Sequence, residues 1–275
     1  MLERAGIEPV SCIWNDPAIA WSAFEAVLMR TIWDYFKYPR DFLAWLDQLD
    51  RLGVPTINDS RVLRWNSDKR YLLDLARADV AIIPTRIAAA AGLPDLLASM
   101  PTQQVVVKPT VSGGAWQTLH GRVGDTRFMH AISALPAHLD YLVQPFLPEI
   151  VSAGEWSLLY FAGQFSHAVL KHPAEGDYRV QGEHGGRTMA ARPDGPTLAA
   201  ASKALAAVVA LGHEMPDYAR VDGVICDGGL LLMELELLEP FLFFGDAPLA
   251  AERFARQLAA RLAHSGGRHS PDLVP

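Results

Sequence analysis

Three carboxylates in the stretch Tyr218–Pro240, YARVDGVICDGGLLLMELELLEP, are spaced as ligands of a divalent cation would be. The stretch reads as a β-hairpin: an apolar run Val221–Cys226, a turn Asp227-Gly228-Gly229, and a second apolar run Leu230–Leu235. With the turn centred on Gly228, Asp222 faces Glu234. Residues that face each other point to the same side of a sheet, with Cβ atoms ~4.5–5.5 Å apart. Glu236 lies one strand period further on and shares that side. Like charges so placed repel, and their burial is costly without compensation. Magnesium compensates well, because it takes oxygen ligands octahedrally, commonly a carboxylate or two plus substrate phosphates. Two readings stay open at this level: half of a magnesium–nucleotide site, or a solvated acidic strand face.

Cations and a glycine loop upstream suit a phosphate. Asn66-Ser67-Asp68-Lys69 opens a predicted helix, Lys69–Ala76, capped by Ser67 or Asp68. A lysine in a first helical turn is disfavoured by the helix dipole unless an anion is near; the plainer alternative is a solvated surface lysine. Val105–Pro109 reads as a strand ended by Lys108 and followed by Thr110-Val111-Ser112-Gly113-Gly114-Ala115-Trp116. Adjacent glycines let backbone N–H groups turn toward an anion. The Walker pattern is absent, since no Gly-Lys-Ser/Thr follows, and Gly-Gly after a strand is often a simple turn. The polar stretch His172–Arg187, HPAEGDYRVQGEHGGR, has the length of a functional lid. Its Arg179 and Arg187 can grip a carboxylate or phosphate with planar forks, or be ordinary loop arginines.

The elements that must position these groups follow from periodicity. Leu2–Gly6 reads as a last helical turn closed by glycine, followed by a short strand around Pro9–Trp14 and an apolar run Ala23–Met29. Asp41 is placed to cap a helix with Phe42, Trp45, Leu46 and Leu49 on one stripe and Gly53 ending it, and Val54–Ile57 is a short strand. Residues 1–66 thus form a small α/β unit without the opening strand that such units normally have. Ala88–Met100 reads as a helix interrupted near Gly92-Leu93-Pro94. Tyr141–Leu147 is a buried strand, and Pro145, which lacks a ladder donor, puts it at an edge or leading into a connection. Trp156–Ala162 and Phe165–Lys171 form a hairpin around Gly163-Gln164, while Pro196–Gly212 and Ala250–His264 are helices.

The chain has 275 residues, half of them hydrophobic and a fifth charged, which suits a substantial globular core. A net charge of −7 without a basic run argues against nucleic-acid binding by a cationic surface. No apolar run approaches the ~20 residues of a membrane span, and the amino terminus lacks a signal-type segment. Cys12 and Cys226 belong to no metal-type cluster and read as small hydrophobes of a reducing compartment, hence a cytoplasmic protein.

In order, a lysine, a strand-end lysine with a glycine loop, a buried strand, a flexible arginine loop and a carboxylate hairpin resemble the ATP-grasp superfamily. The likeness runs from about Asn66 to Pro240 and is nearest to the branch of glutathione synthetase and the ribosomal-protein glutamate-tail ligases. ARVDG also resembles the D-alanine ligases, and the ending MELELLEP the cyclo-ligase of cycloserine biosynthesis. The resemblance implies an α/β (α+β) ATP-grasp fold: an amino-terminal unit over 1–66, a central subdomain over 67–147, a carboxy-terminal subdomain over 148–264, and a flexible tail over 265–275. It implies phosphate contacts from Lys69, Lys108, Gly113, Gly114, Arg179 and Arg220, with Gly185 and Gly186 as the flexible end of the arginine loop. It also implies adenine pairing along Gln144-Pro145-Phe146-Leu147, ribose binding by Glu155, and magnesium on Asp222, Glu234 and Glu236, with manganese as a substitute.

Two departures stand out: Glu236 replaces the family's usual asparagine, and the first strand and helix are largely missing before Met1. The implied activity is an ATP-dependent ligase that makes an acyl phosphate and passes it to an amine, releasing ADP and phosphate. Its partners would be a small-molecule carboxylate and amine, or both on one molecule for ring closure, and a homodimer is compatible with the resemblance. An ATP-binding protein without ligase activity, motivated by the two departures, is the alternative. A nucleotide-free protein that binds divalent ions is a third reading, weakened by the intact lysines.

Overall fold

The structure is a computed structural model that describes residues 1–180, 182 and 185–266. In its amino-terminal part, β1 (Val27–Leu28) and β2 (Thr56–Ile57) form a short parallel pair flanking α1 (Pro39–Leu52). Residues 9–14, expected as a strand, are irregular. Their Trp14 instead packs edge-on against Phe42, in an aromatic core with Trp21, Tyr35 and Trp45. The predicted stripe of α1 is buried, and Gly53 closes the helix in a left-handed conformation at φ 68°. Asp41 is not its cap; Pro39 starts the helix two residues earlier, as its locked φ favours, and Asp41 lies in the first turn.

A central sheet follows α2 (Ser60–Asn66) and α3 (Tyr71–Arg77). Its strands are β3 (Arg86–Ala89), β4 (Gln104–Pro109), β5 (Leu119–Arg122) and β6 (Asp140–Pro145), in the antiparallel order β3-β6-β4-β5. The helix expected over 88–100 is shorter. Ala88 and Ala89 belong to β3, and α4 (Leu93–Ala98) takes Pro94, the expected interruption, into its first turn. Proline is well tolerated in a first helical turn because its missing N–H has no intrahelical partner there. Of the two readings of Pro145, the second holds: β6 lies between β3 and β4, and Pro145 is its final residue, leading into the connection, so the ladder loses no interior donor. α5 (Thr126–Ser133) covers β5.

Beyond the short α6 (Glu149–Ser152), a second antiparallel sheet is built from β7 (Glu155–Phe161), β8 (Gln164–His172), β9 (Arg187–Ala191), β10 (Tyr218–Cys226) and β11 (Gly229–Glu236). The order is β11-β10-β7-β8-β9. α7 (Gly195–Ala210), capped by Asp194, packs on this sheet through Ala201, Ala204, Leu205 and Val208. α8 (Pro248–Gly266) returns to the amino-terminal part, where Phe254, Leu258 and Leu262 join a cluster with Leu28 and Ile57. α8 includes Ser265 and Gly266 of the expected tail; the rest of that tail lies outside the described residues. A parallel bridge ties the segment before β3 to β11: Ile83 N–H donates to Leu232 C=O at 3.0 Å, and Leu232 N–H to Ala81 C=O at 2.9 Å.

The β10–β11 hairpin reaches the expected pairing by an unexpected route. Its turn is the two-residue Asp227-Gly228, both with positive φ (51° and 80°), so Cys226 pairs with Gly229. Continued regularly, that register would place Asp222 opposite Met233 and turn Glu234 to the other face. A bulge between Asp222 and Gly223, with Met233 as the extra residue, restores Asp222 opposite Glu234 and Arg220 opposite Glu236. Gly223 permits it, since a Cβ there would lie 2.7 Å from the Leu231 carbonyl oxygen and 2.8 Å from Leu230 Cδ1. Gly223→Ala is expected to lower unfolding stability by roughly 1–3 kcal/mol in urea titration and to weaken Mg-ATP binding, because the bulge sets which face the carboxylates occupy.

Candidate functional site

On the bulged face of the hairpin, Arg220 is the hub. Its Nε lies 3.0 Å from both Asp222 carboxylate oxygens, its Nη2 pairs with Glu236, and its Nη1 donates to Phe241 C=O at 3.2 Å. β7 and β8 extend the same face. Ser157 Oγ donates to Asp222, Lys171 Nζ pairs with Glu155, and Lys171 also stands 3.6 Å from Asp222 Oδ1. Lys171 was not among the residues singled out from sequence. Its signal was present: a lysine in the apolar run of β8 that falls opposite Glu155 across the Gly163 turn.

The central sheet and the segment between α2 and α3 supply the opposing cations. Lys108, near the end of β4, donates to Glu234 Oε1 at 2.6 Å. Lys69 Nζ lies 3.9 Å from the same oxygen and donates to the Ser112 carbonyl at 2.7 Å. Lys69 is not in a first helical turn, because α3 starts at Tyr71. It is held instead by its own N–H, which donates to Thr110 C=O at 2.7 Å, while Asp68 accepts from Arg70 N–H. Helix dipole therefore says little about this lysine; its buried position beside Glu234 says more.

Charge and burial compete across this face. Burial pushes Glu234 up, but Lys108 and Lys69 outweigh it and hold the carboxyl at about 2. Glu236 goes the other way: burial dominates, Arg220 opposes it, and Asp222 and Glu234 add repulsion, bringing it to about 7. Burial lowers the Lys69 ammonium despite the pull of Glu234. Asp222, buried beside Arg220 and Lys171, is held below the usual carboxylate range.

Gly113 and Gly114 follow β4 directly, with Gly114 at φ 55°. A Cβ on Gly113 would meet the Phe36 ring at 3.1 Å, and Phe36 packs on Trp116, so the loop leans on the amino-terminal part. Along the expected adenine connection, Gln144 is buried and donates to Thr85 Oγ1 at 2.9 Å. Pro145 ends β6, Phe146 N–H is taken by Gln104 C=O, and Leu147 C=O accepts from Ile150. Leu147 faces an apolar cluster with Ile83, Ile150, Val180, Val224 and Met233. Phe146 stacks on His120 at 4.1 Å, and Tyr178 meets both rings edge-on.

Two expected site residues are held in ion pairs. Glu155 is buried in its pair with Lys171, within the charged face rather than at the adenine connection. Arg179 is gripped by Asp177, Nη2 to Oδ2 at 2.7 Å, in the loop leading to β9. Gln181, Glu183 and His184 of that loop lie outside the described residues; Gly185 and Gly186 follow them. Among the described residues, no three His, Cys, Asp or Glu side chains form a ready-made metal cage. The donor set still suits magnesium, which prefers a few carboxylates completed by phosphates and water.

Residues 1–58 match the family described as the D-cycloserine synthetase DcsG, N-terminal domain. The chain is 33% identical over 280 residues to cycloserine biosynthesis protein DcsG of Streptomyces lavendulae, covering 94% of this chain and 90% of that protein. The chain belongs to the DcsG family of ATP-grasp ligases. The crystal structure of D-cycloserine synthetase DcsG superposes with a TM-score of 0.84 at 32% identity, over 95% of this chain and 92% of that one. D-alanine–D-alanine ligase from Bacillus anthracis shares the fold at TM-score 0.62 and 16% identity, over 89% and 81% of the two chains. The ATP-grasp ligase PsnB with its minimal precursor shares it at 0.56 and 16%, over 88% and 78%. As a DcsG-family ATP-grasp ligase, the chain is an ATP-dependent enzyme that forms C–N bonds and releases ADP. No helix among the described residues is long and apolar enough to cross a membrane.

The opposite shifts of Glu234 and Glu236 predict opposite effects in the ligand-free protein. A carboxyl held at about 2 contributes stability present above its ordinary pKa and lost as pH falls through 2. One raised to about 7 is favoured protonated, so its contribution is present below the ordinary pKa and lost as pH rises through 7. Glu234→Gln should therefore lower the melting temperature at pH 7 by a few degrees. Glu236→Gln should raise it at pH 8 by a similar amount, at roughly 2–4 °C per kcal/mol. Differential scanning fluorimetry across pH 4–9 checks both signs.

Proposed function

We propose that the chain uses Mg-ATP to phosphorylate a carboxylate of a small amino-acid-like substrate and passes the resulting acyl phosphate to an amine. The observation that carries this reading is the meeting of Lys69 and Lys108, from the central unit, with Glu234 of the carboxy-terminal hairpin. Phosphoryl transfer asks a protein mainly to position groups and neutralise charge, and this face is built for both.

We assign the residues as follows. Lys69 and Lys108 are the cations for the phosphates, and the Gly113-Gly114 loop offers its backbone N–H groups to them. Arg220 and Lys171 fix the carboxylates and remain within the same charged face to offset developing negative charge. Asp222, Glu234 and Glu236 are the magnesium ligands; the metal, when bound, neutralises and aligns the phosphates. Phe146 C=O and Leu147 N–H are the groups of the connection assigned to the adenine edge, with Leu147, Ile83, Val180 and Met233 as its apolar walls. Glu155, paired with Lys171, is reassigned from ribose binding to support of the charged face. Arg179 is kept as a loop residue that reaches the γ-phosphate or substrate on closure, and water exclusion by that loop protects an acyl phosphate.

An amine on the same molecule, giving ring closure, is the form of ligation favoured by membership of a family named for D-cycloserine. We read the divisions at 66/67 and 147/148 as domain boundaries, because the two sheets fall on either side of the second one. Manganese, an equally hard octahedral cation, is expected to substitute for magnesium, and the working compartment is taken as the cytoplasm.

The test is ADP release from Mg-ATP with pools of amino acids and small carboxylates. Release should require one pool and fall at least about 100-fold in Lys108→Met and Glu234→Gln. A rise in melting temperature with Mg-ATP but no pool-dependent release would favour a nucleotide-binding protein without ligase activity.

A further inference from the structure

Beside the carboxylate face, an arginine and a glutamate have no part in the roles above. Arg30 follows β1, and Glu239 follows β11. The Arg30 guanidinium lies 5.9 Å from the centre of the Tyr218 ring and donates through Nη2 to Pro240 C=O at 3.1 Å. Its Nη1 is buried and, among the described residues, has no hydrogen-bond partner. A charged donor left in that state is costly unless something arrives to meet it. Glu239 accepts a hydrogen bond from Trp33, a side chain that is 62% exposed. Burial first, and Glu236 next, push Glu239 up to about 8 against the pull of Arg220 and Arg30. Arg220 holds Phe241 C=O as Arg30 holds Pro240 C=O, so the segment after Glu236 is strung between the two arginines.

We propose that Arg30 and Glu239 recognise the two charged ends of an amino-acid unit in the substrate, Arg30 Nη1 taking the carboxylate and Glu239 the ammonium. This rests on the ligase reading and adds the residues that select its substrate. A zwitterion meets both groups at once and brings no net charge to a face already rich in it. A simple carboxylate would leave Glu239 against Glu236, and a simple amine would leave Nη1 unmet. The ammonium displaces Trp33 from Glu239. Because Arg30 and Arg220 hold adjacent carbonyls, a carboxylate on Arg30 stands next to the face assigned to the phosphates.

Calorimetry on the full chain with Mg-ADP tests this, using D-serine, D-glycerate (no ammonium) and D-serine methyl ester (no carboxylate) as probes. Wild type should bind D-serine best. Glu239→Gln should weaken D-serine about tenfold or more and leave D-glycerate unchanged; Arg30→Lys should weaken D-serine similarly and leave the methyl ester unchanged. Mg-ATP affinity, measured separately, should stay within about twofold in both variants, which also shows that they fold. Wild type that binds Mg-ATP but not D-serine overturns the proposal, as does equal weakening of all three probes. Wild type that binds no Mg-ATP sinks the ligase reading and this one with it.

Discussion

Concentrated negative charge on one face of a two-stranded hairpin is the constraint from which the rest of the site follows. Asp222, Glu234 and Glu236 are each at least partly buried, and like charges in that setting are tolerated only if cations answer them. In the ligand-free protein the answer comes from Arg220 and Lys171 within the carboxy-terminal sheet, and from Lys108 and Lys69 across the gap. Lys108 of the central sheet and Lys69 from the segment before α3 complete the charge balance of the hairpin, and the Ile82–Leu232 bridge joins the chain just ahead of β3 to β11.

That balance is uneven by design of the backbone. Glu234 sits between two lysines and stays ionised over a wide pH range, whereas Glu236 shares one arginine with Asp222 and is nearly half neutralised at pH 7. Glutamate at the position where the resemblance leads to an expectation of asparagine is thus less of a departure than its charge implies. A carboxyl near its own pKa can serve as a neutral group when the face holds no cation and as an anionic ligand when it does. The same logic explains Lys171: its removal would leave buried Glu155 without its ion-pair partner, while Asp222 would keep Arg220 and Ser157.

Much of this was legible in one dimension. Strand alternation and the Gly-Gly turn placed Asp222, Glu234 and Glu236 on one face, and the strand-end Lys108 and the following glycines marked the opposing loop. The errors share a cause, which is local rules overruled by context. Pro94 lies in the first turn of a helix where the sequence pattern reads it as a break, whereas Pro145 fits its reading as a lead into a connection, at the end of a central strand. Lys69 was assigned to a helix that begins two residues later, since the Thr110 carbonyl claims its N–H.

By itself, the sequence determined the residue types of the site, their order along the chain and the hairpin that carries the acids, because period-two alternation and turn chemistry are properties of neighbouring residues. Tertiary structure decided the rest. The two-residue turn on its own dictates a register that would separate Asp222 from Glu234, and only the bulge at Met233, admitted by Gly223, reunites them. Likewise, that Lys171 belongs to the charged face, that Glu155 is its partner, and that Arg30 has a buried donor unspent beside Pro240 depend on contacts between distant strands. Packing and charge compensation act through space, and no spacing along the chain encodes them.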